Sequence, residues 1–116
     1  MSFADTIKGP KDEEKAKHAP VLDIIKGHGK EDNDFVRVVV GKEVAHPNSI
    51  EHYIKWVELY GTTKEGSIVN LGRMDFEAAQ TDPIATFHIS NIDNFKSFCA
   101  LECCNIHGVW QNCIEV

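Results

Sequence analysis

The fold of this chain is constrained most by its division into short segments rich in apolar, β-branched residues, with turn residues between them. Turn signals recur roughly every 8–15 residues, and no helical stripe of apolar residues interrupts the series. Strands are predicted at Val21–Ile25, Phe35–Val44, Tyr53–Tyr60, Ile68–Phe76, Ile84–Ile89, Phe95–Cys103 and Val109–Val116. This pattern predicts an all-β fold, a seven-stranded antiparallel β-sandwich of immunoglobulin type, with a small β-barrel as the alternative.

The length of the chain predicts a single domain. Its 116 residues can bury a continuous core without disulfides. Residues 20–116 would form the sandwich. Residues 1–19 are mostly polar and charged, so we expect an arm that lies on the surface or docks through Phe3.

The charge of the chain excludes some classes of partner. The formal net charge is −6, whereas binding to nucleic acid or to an anionic membrane surface requires a basic face. No apolar run approaches the roughly 20 residues that span a bilayer. The first residues lack the basic region and apolar core of a secretory signal, which predicts a cytoplasmic protein.

All four cysteines, Cys99, Cys103, Cys104 and Cys113, lie near the C-terminus. A disulfide framework normally spreads its cysteines over several elements, and adjacent Cys103 and Cys104 cannot bond without strain. In a reducing compartment we therefore expect free thiols, one of them a metal-binding thiolate. On an extended strand Cys103 should point away from Cys104 and pack as a small apolar group.

A metal site is indicated by Cys104 and His107, which are three residues apart and followed by Gly108. A tight turn would bring the thiolate and the imidazole to one point, and the small glycine would let the backbone fold closely around it. This spacing alone is a weak signal. Three histidines upstream, in loop-like or strand-edge contexts, strengthen it: His18, His46 and His52.

The segment between the second and third predicted strands can present two of these histidines to one centre. Pro47 favours an extended conformation at His46, and Asn48-Ser49 favours a turn before His52. Four imidazoles and one thiolate are one ligand too many for tetrahedral zinc. They suit a five-coordinate first-row metal with an open sixth position, and iron accepts mixed imidazole–thiolate ligation.

The residues around these ligands resemble the superoxide reductases of the one-iron, neelaredoxin type. The motifs that carry the resemblance are Lys17-His18-Ala19-Pro20, His46-Pro47-Asn48, Glu51-His52 and Cys104-Asn105-Ile106-His107-Gly108-Val109-Trp110. The resemblance implies one mononuclear iron per chain, with four equatorial nitrogens and an axial sulfur. The implied ligands are His18, His46, His52, His107 and Cys104.

The resemblance also implies an activity and partners. The activity is the one-electron reduction of superoxide to hydrogen peroxide, with a rubredoxin-like protein as electron donor and a homotetramer as the assembly. Lys17 would attract superoxide and order a water that supplies a proton. Family members commonly carry a glutamate that closes the sixth iron position, and Ala16 stands at that place here. No cysteine precedes Cys99, so the second, four-cysteine iron centre of some relatives is not expected.

Three other functions fit parts of the pattern: an interaction module held together by zinc, a superoxide dismutase, and a cupin-like iron oxygenase. The oxygenase would require a carboxylate ligand, which none of the matched positions supplies. Trp56 and Trp110 are interpreted as packing residues rather than electron relays. His28 is expected in a surface turn and His88 in a strand, and each is the substitute if a proposed ligand is wrong.

Overall fold

The computed structural model of the chain describes residues 1–27 and 34–116. In chain order the elements are α1 (Phe3–Thr6), α2 (Lys15–His18), β1 (Val21–Ile25), β2 (Phe35–Val39), β3 (Ile54–Thr63), β4 (Ile68–Asp75), β5 (Ile84–His88), a 3-10 turn (Ile92–Asn94), β6 (Phe95–Cys104) and β7 (Gly108–Glu115). Within these residues, no helix is both long enough and apolar enough to cross a bilayer.

The strands form two antiparallel sheets that pack face to face. One sheet has the order β1-β2-β5, and the other has the order β4-β3-β6-β7. The prediction of a seven-stranded antiparallel sandwich is confirmed, and its arrangement is consistent with the immunoglobulin-like type. In the described part of the chain the two sheets remain separate, so the alternative of a barrel is not observed.

The predicted strands are all present, but two of their ends differ by more than one residue. β2 stops at Val39 rather than Val44, because the chain turns at Gly41, whose φ is +82°. β3 continues past Tyr60 to Thr63, because Gly61 and Thr62 still pair with both β4 and β6. The early end of β2 leaves a long loop before β3, and this loop carries two of the predicted ligands.

The core lies between the sheets and is built by alternation along the strands. In β6 the inward positions are Phe98, Ala100, Glu102 and Cys104, all of them buried. Cys103 therefore faces outward, as predicted, although it is only partly buried. Glu102 places a carboxyl group in this apolar core.

The polar arm packs along the four-stranded sheet. Phe3 and Ile7 line a cavity of about 350 Å³ over the outer face of that sheet, together with Tyr60 and Leu101. Further along the arm, the carbonyl of Lys8 accepts a hydrogen bond of 2.8 Å from the Gln111 amide, beside the edge strand β7. Phe3 borders this cavity but stays 68% exposed, so the arm lies on the surface of the sheet.

The prediction of free thiols is wrong for Cys99 and Cys113, which form a disulfide. Strands β6 and β7 make a hairpin in which these two residues face each other directly. The sequence held a signal for this pairing, since both cysteines are the same number of residues from Ile106 in the turn. Cys103 and Cys104 are free, as expected.

Candidate metal centre

Residues from the arm, the β2–β3 loop and the β6–β7 hairpin meet at one point. The nearest ligand atoms of His18, His46, His52 and Cys104 all lie within 4.8 Å of one another. His107 is outside that group of four, but its ring centroid is 4.8 Å from that of His18 and 5.0 Å from that of His52. The structure thus brings together all five side chains that the sequence proposed as ligands.

His18 is placed by the short helix α2, which ends at this residue. Its side chain is 1% exposed, and its Nδ1 lies 3.2 Å from the carbonyl oxygen of Glu14, one helical turn earlier. On its other side the ring stacks on Trp110, with centroids 4.9 Å apart and planes 15° apart. Trp110 is therefore a packing residue, as predicted, and forms one wall of the site.

Both His46 and His52 belong to the loop between β2 and β3, with His46 in its middle and His52 near its end. His46 Nδ1 is 2.7 Å from the Pro47 carbonyl oxygen. The loop is closed at His52, whose backbone N–H donates to Ser49 Oγ at 3.1 Å and whose carbonyl accepts from the Ser49 amide at 2.9 Å. Gly41, earlier in the same loop, lies so close to His46 that a Cβ on Gly41 would be 2.5 Å from the backbone nitrogen of His46.

Cys104 and His107 flank the turn of the β6–β7 hairpin. The backbone N–H of His107 donates to Cys104 Sγ at 3.4 Å, and His107 Nδ1 lies 3.7 Å from the same sulfur. The sulfur of Cys104 therefore accepts a backbone hydrogen bond from within the turn. The reason given for Gly108 was wrong: a Cβ there would meet open space, and glycine suits this position because its φ is +79°.

Asn105 ties the hairpin turn to the histidine loop, and the sequence reading did not identify this role. Its side-chain oxygen accepts from the Tyr53 amide at 2.9 Å, and its Nδ2 donates to the Glu51 carbonyl at 3.0 Å. Asn48 acts in the same way on the other side of the loop, bonding Ala79 and Thr81. Asparagine inside a ligand-bearing turn was the available signal, since its amide can bridge two backbones.

The imidazoles are arranged as metal ligands require. The Nε2 atoms of His18, His46 and His52 are buried and have no hydrogen-bond partner among the described residues. In His18 and His46 the other ring nitrogen, Nδ1, faces a carbonyl oxygen. The ring proton therefore sits on Nδ1, where it is donated to that oxygen, and Nε2 keeps a free lone pair. Buried polar atoms are rarely left unpaired, so a metal ion is the partner that fits them.

The distances around the ring of histidines suit a single ion. Successive centroids from His18 through His46, His52 and His107 are 4.9, 4.8, 5.0 and 4.8 Å apart. The four rings are thus spaced evenly in a closed cycle, as rings that surround a single ion would be. Cys104 then supplies a sulfur beside the four nitrogens.

Burial keeps two of the candidate ligands, His18 and His46, uncharged. Loss of solvent is the main cause that lowers the pKa of His46 to about 4, and the neighbouring imidazoles lower it further. Burial likewise lowers the pKa of His18. Both rings are therefore neutral near pH 7 and can bind a cation without first losing a proton.

The remaining predicted residues lie around this centre or apart from it. Lys17 is half-exposed, and its Nζ is 3.7 Å from a carboxylate oxygen of Glu14. Ala16, in the same helix, carries no side-chain donor atom, and its carbonyl accepts from the Val44 amide at 3.4 Å. Trp56 is half-buried under Arg73. His88 is exposed on β5, next to Phe35, and His28 lies outside the described residues.

Fold and site together define a β-sandwich protein with a histidine–cysteine centre for one metal ion. The chain belongs to the desulfoferrodoxin family, whose model matches residues 10–113. Superoxide reductase of Pyrococcus abyssi is 39% identical over 118 residues, which cover 97% of this chain and 96% of that protein.

Solved structures agree with this assignment. The structure of a superoxide reductase in the oxidised state has a TM-score of 0.85 at 33% identity, with 99% of each chain covered. The neelaredoxin of Archaeoglobus fulgidus in the reduced form has a TM-score of 0.81 at 31% identity and covers 95% of this chain and 97% of that one. The likeness therefore extends over nearly the whole length of the chain.

Proposed function

We propose that this protein is a superoxide reductase that converts superoxide to hydrogen peroxide at a single iron ion. The observation that carries the proposal is the convergence of His18, His46, His52 and Cys104 on one centre, with the ring of His107 beside them. Three imidazole nitrogens there have no hydrogen-bond partner among the described residues. Relatives that match nearly the whole chain bear the name superoxide reductase. Five donor groups also argue against the zinc-held module, since structural zinc closes at four ligands.

In this proposal residues 1–116 form one iron domain. His18, His46, His52 and His107 would hold the iron through ring nitrogens, and Cys104 would hold it through its sulfur. When bound, the iron would supply one-electron redox chemistry for the overall reaction, in which superoxide, one electron from an external donor and two protons give hydrogen peroxide. The His107 amide holds the Cys104 sulfur in place and withdraws some of its charge, which tunes its strength as a ligand.

Lys17 is proposed to attract superoxide and to order a water that donates a proton. The chain repels anions at long range, because its net charge is −6. The positive charge of Lys17, in the same short helix as His18, locally opposes the repulsion from this negative net charge. Ala16 has only a methyl group at the place where the family commonly has glutamate, so this position leaves the sixth site of the iron without a side-chain ligand.

A rubredoxin-like electron donor, a homotetrameric assembly and a cytoplasmic location belong to the same proposal. Contact with a donor is supported by two exposed apolar side chains beside the site, Ile50 (74% exposed) and Ile106 (57% exposed). They lie in the loop and the turn that Asn105 joins. The mass of the native protein in solution tests the assembly, and turnover driven by a reduced rubredoxin tests the donor.

Metal analysis with visible spectra of the oxidised protein tests the site. The wild type should hold about one iron per chain and show a thiolate charge-transfer band, because a cysteine sulfur donates to ferric iron. Cys104→Ser should lose the band while iron remains bound, whereas Cys103→Ser, whose side chain faces the other way, should keep it. Colourless protein with zinc would contradict the proposal.

Stoichiometry separates a reductase from the alternative of a dismutase. A reductase consumes one electron from the donor for each hydrogen peroxide and releases no dioxygen. A dismutase forms dioxygen and needs no donor. Measuring donor oxidation, peroxide and dioxygen in the same reaction therefore decides between the two activities.

A further inference from the structure

Cys99 and Cys113 form a cysteine pair on the opposite face of the hairpin from the metal centre. They face each other across β6 and β7 with Cα atoms 4.0 Å apart. The core-facing positions of β6 include Glu102 and Cys104, so odd-numbered Cys99 points to the outer face of the sheet. The pair is therefore separate from the proposed iron ligands.

Solvent reaches this pair. Cys113 is exposed, and Cys99 lines the cavity of about 350 Å³ on the outer face. The surrounding ladder holds the two residues opposite each other, since β6 and β7 stay in register from Ser97↔Glu115 to Cys104↔Gly108. When the disulfide is reduced, the folded hairpin still keeps the two thiols within reach of one another.

Cys103 provides an internal comparison. It lies on the same outer face of β6 and is a free thiol, but its cross-strand neighbours are Trp56 and Val109. A sulfenic acid at Cys103 would have no thiol opposite it. A reaction that depends on two facing thiols is therefore confined to Cys99 and Cys113.

We propose that Cys99 and Cys113 are a redox-active dithiol that hydrogen peroxide oxidises to the disulfide, which makes the chain a dithiol-dependent peroxide reductase. In a cytoplasmic protein a disulfide is more often redox-active than structural. The cytoplasmic location and the supply of peroxide by the iron rest on the proposed function. The observation that the two cysteines face each other and are accessible does not depend on it.

The reaction balances without a further oxidant. The Cys113 thiolate attacks one peroxide oxygen and the O–O bond breaks, which leaves a sulfenic acid on Cys113. The other oxygen departs as hydroxide and takes up the proton released by the Cys113 thiol to form the first water. The Cys99 sulfur then attacks Cys113, the S–S bond forms, and the second oxygen leaves as water with the proton of the Cys99 thiol. Two thiols lose two electrons, peroxide becomes water, and a small dithiol reductant restores the thiols by exchange.

The test uses the iron-loaded protein and added peroxide. The protein is reduced with dithiothreitol under nitrogen, desalted, titrated with hydrogen peroxide, and quenched with iodoacetamide for peptide mass analysis. We expect a Cys99–Cys113 linked peptide to form with about one peroxide per chain, while Cys103 remains alkylated. Cys103→Ser should behave like the wild type, whereas Cys113→Ser should form no linked peptide.

Turnover gives an independent measurement. With dithiothreitol present, the wild type should consume peroxide continuously, and the Cys99→Ser and Cys113→Ser variants should fall to the background set by iron alone. Their superoxide reductase activity should be unchanged, which shows that they fold. The proposal is overturned if dithiothreitol leaves the bond intact in the folded protein, or if peroxide leaves both cysteines as free thiols. Because peroxide is added directly, neither outcome bears on the reduction of superoxide.

Discussion

At the scale of single residues, the charge of Lys17 is the feature that the proposed reaction depends on most directly. Lys17→Ala should lower the second-order rate with superoxide by about tenfold and weaken its dependence on salt, because a local cation steers an anionic substrate. Pulse radiolysis at several ionic strengths measures both. Lys15→Ala, an equal change of charge in the same helix, is the control. Equal effects of the two variants would remove the special role of Lys17.

Asn105 contributes to the site through two side-chain hydrogen bonds that join separate segments. Asn105→Ala should lower metal affinity by about 10- to 100-fold, since residues that orient ligands typically have effects of that size. Competition with a chelator measures the affinity. Asn70→Ala is a suitable control, because Asn70 bonds the Gly72 amide on exposed β4. An Asn105 variant with unchanged affinity would mean that the hairpin positions Cys104 without help from the loop.

At the scale of elements, the loop between β2 and β3 is shaped by Gly41. Its φ of +82° is unfavourable for other residues, and a Cβ would overlap the His46 backbone. Gly41→Ala should destabilise the protein by about 2–3 kcal/mol and weaken metal binding, because His46 must move. Urea unfolding and metal titration measure the two effects.

Gly66→Ala separates backbone strain from contact with the site. Gly66 has a similar φ of +95°, but a Cβ there would meet nothing within 4 Å. This control should lose stability through backbone strain alone and keep its metal affinity. Equal loss of metal affinity in both variants would contradict the proposed contact between Gly41 and His46.

The elements themselves follow from local chemistry, which is why the sequence predicts them well. Runs such as Val36–Val40 and the apolar positions of β6 favour extended structure and mark the buried face. Strand ends depend on tertiary contacts instead: β2 ends early at the Gly41 turn, and β3 continues through Gly61 because two neighbours still pair with it. The disulfide follows from the register of a hairpin, which composition does not reveal.

At the scale of the whole molecule, the metal centre joins parts of the chain that share no local pattern. The candidate ligands were identified from the spacing and context of a cysteine and four histidines, and from motifs that resemble those of a known family. The residues that hold these ligands in place were not identified, because the hydrogen bonds of the Asn105 amide and the stacking of Trp110 on His18 form only when distant segments meet. The burial of Glu102 was also not predicted, because a charged residue within a strand is normally assigned to the exposed face, whereas here it occupies an inward position of β6.

Glu102 should make the stability of the whole molecule depend on pH. Both carboxyl oxygens are buried without a hydrogen-bond partner among the described residues, and burial raises the pKa of Glu102 to about 9. The ordinary pKa of 4.5 applies to the unfolded chain. Between these values the folded protein holds a proton that the unfolded chain has released. The free energy of unfolding therefore falls as pH rises, by at most about 1.4 kcal/mol per pH unit from this group.

Glu102→Gln keeps the shape of the side chain and removes this titration. Its free energy of unfolding should exceed that of the wild type by a margin that is small near pH 5 and grows towards about pH 8.5. Urea unfolding of the two proteins across this range measures the margin. Glu115→Gln, which neutralises an exposed acid at the end of β7, should show no such trend. A constant difference between Glu102→Gln and the wild type at every pH would mean that Glu102 is ionised in the folded protein, with a cation or ordered water beside it in the core.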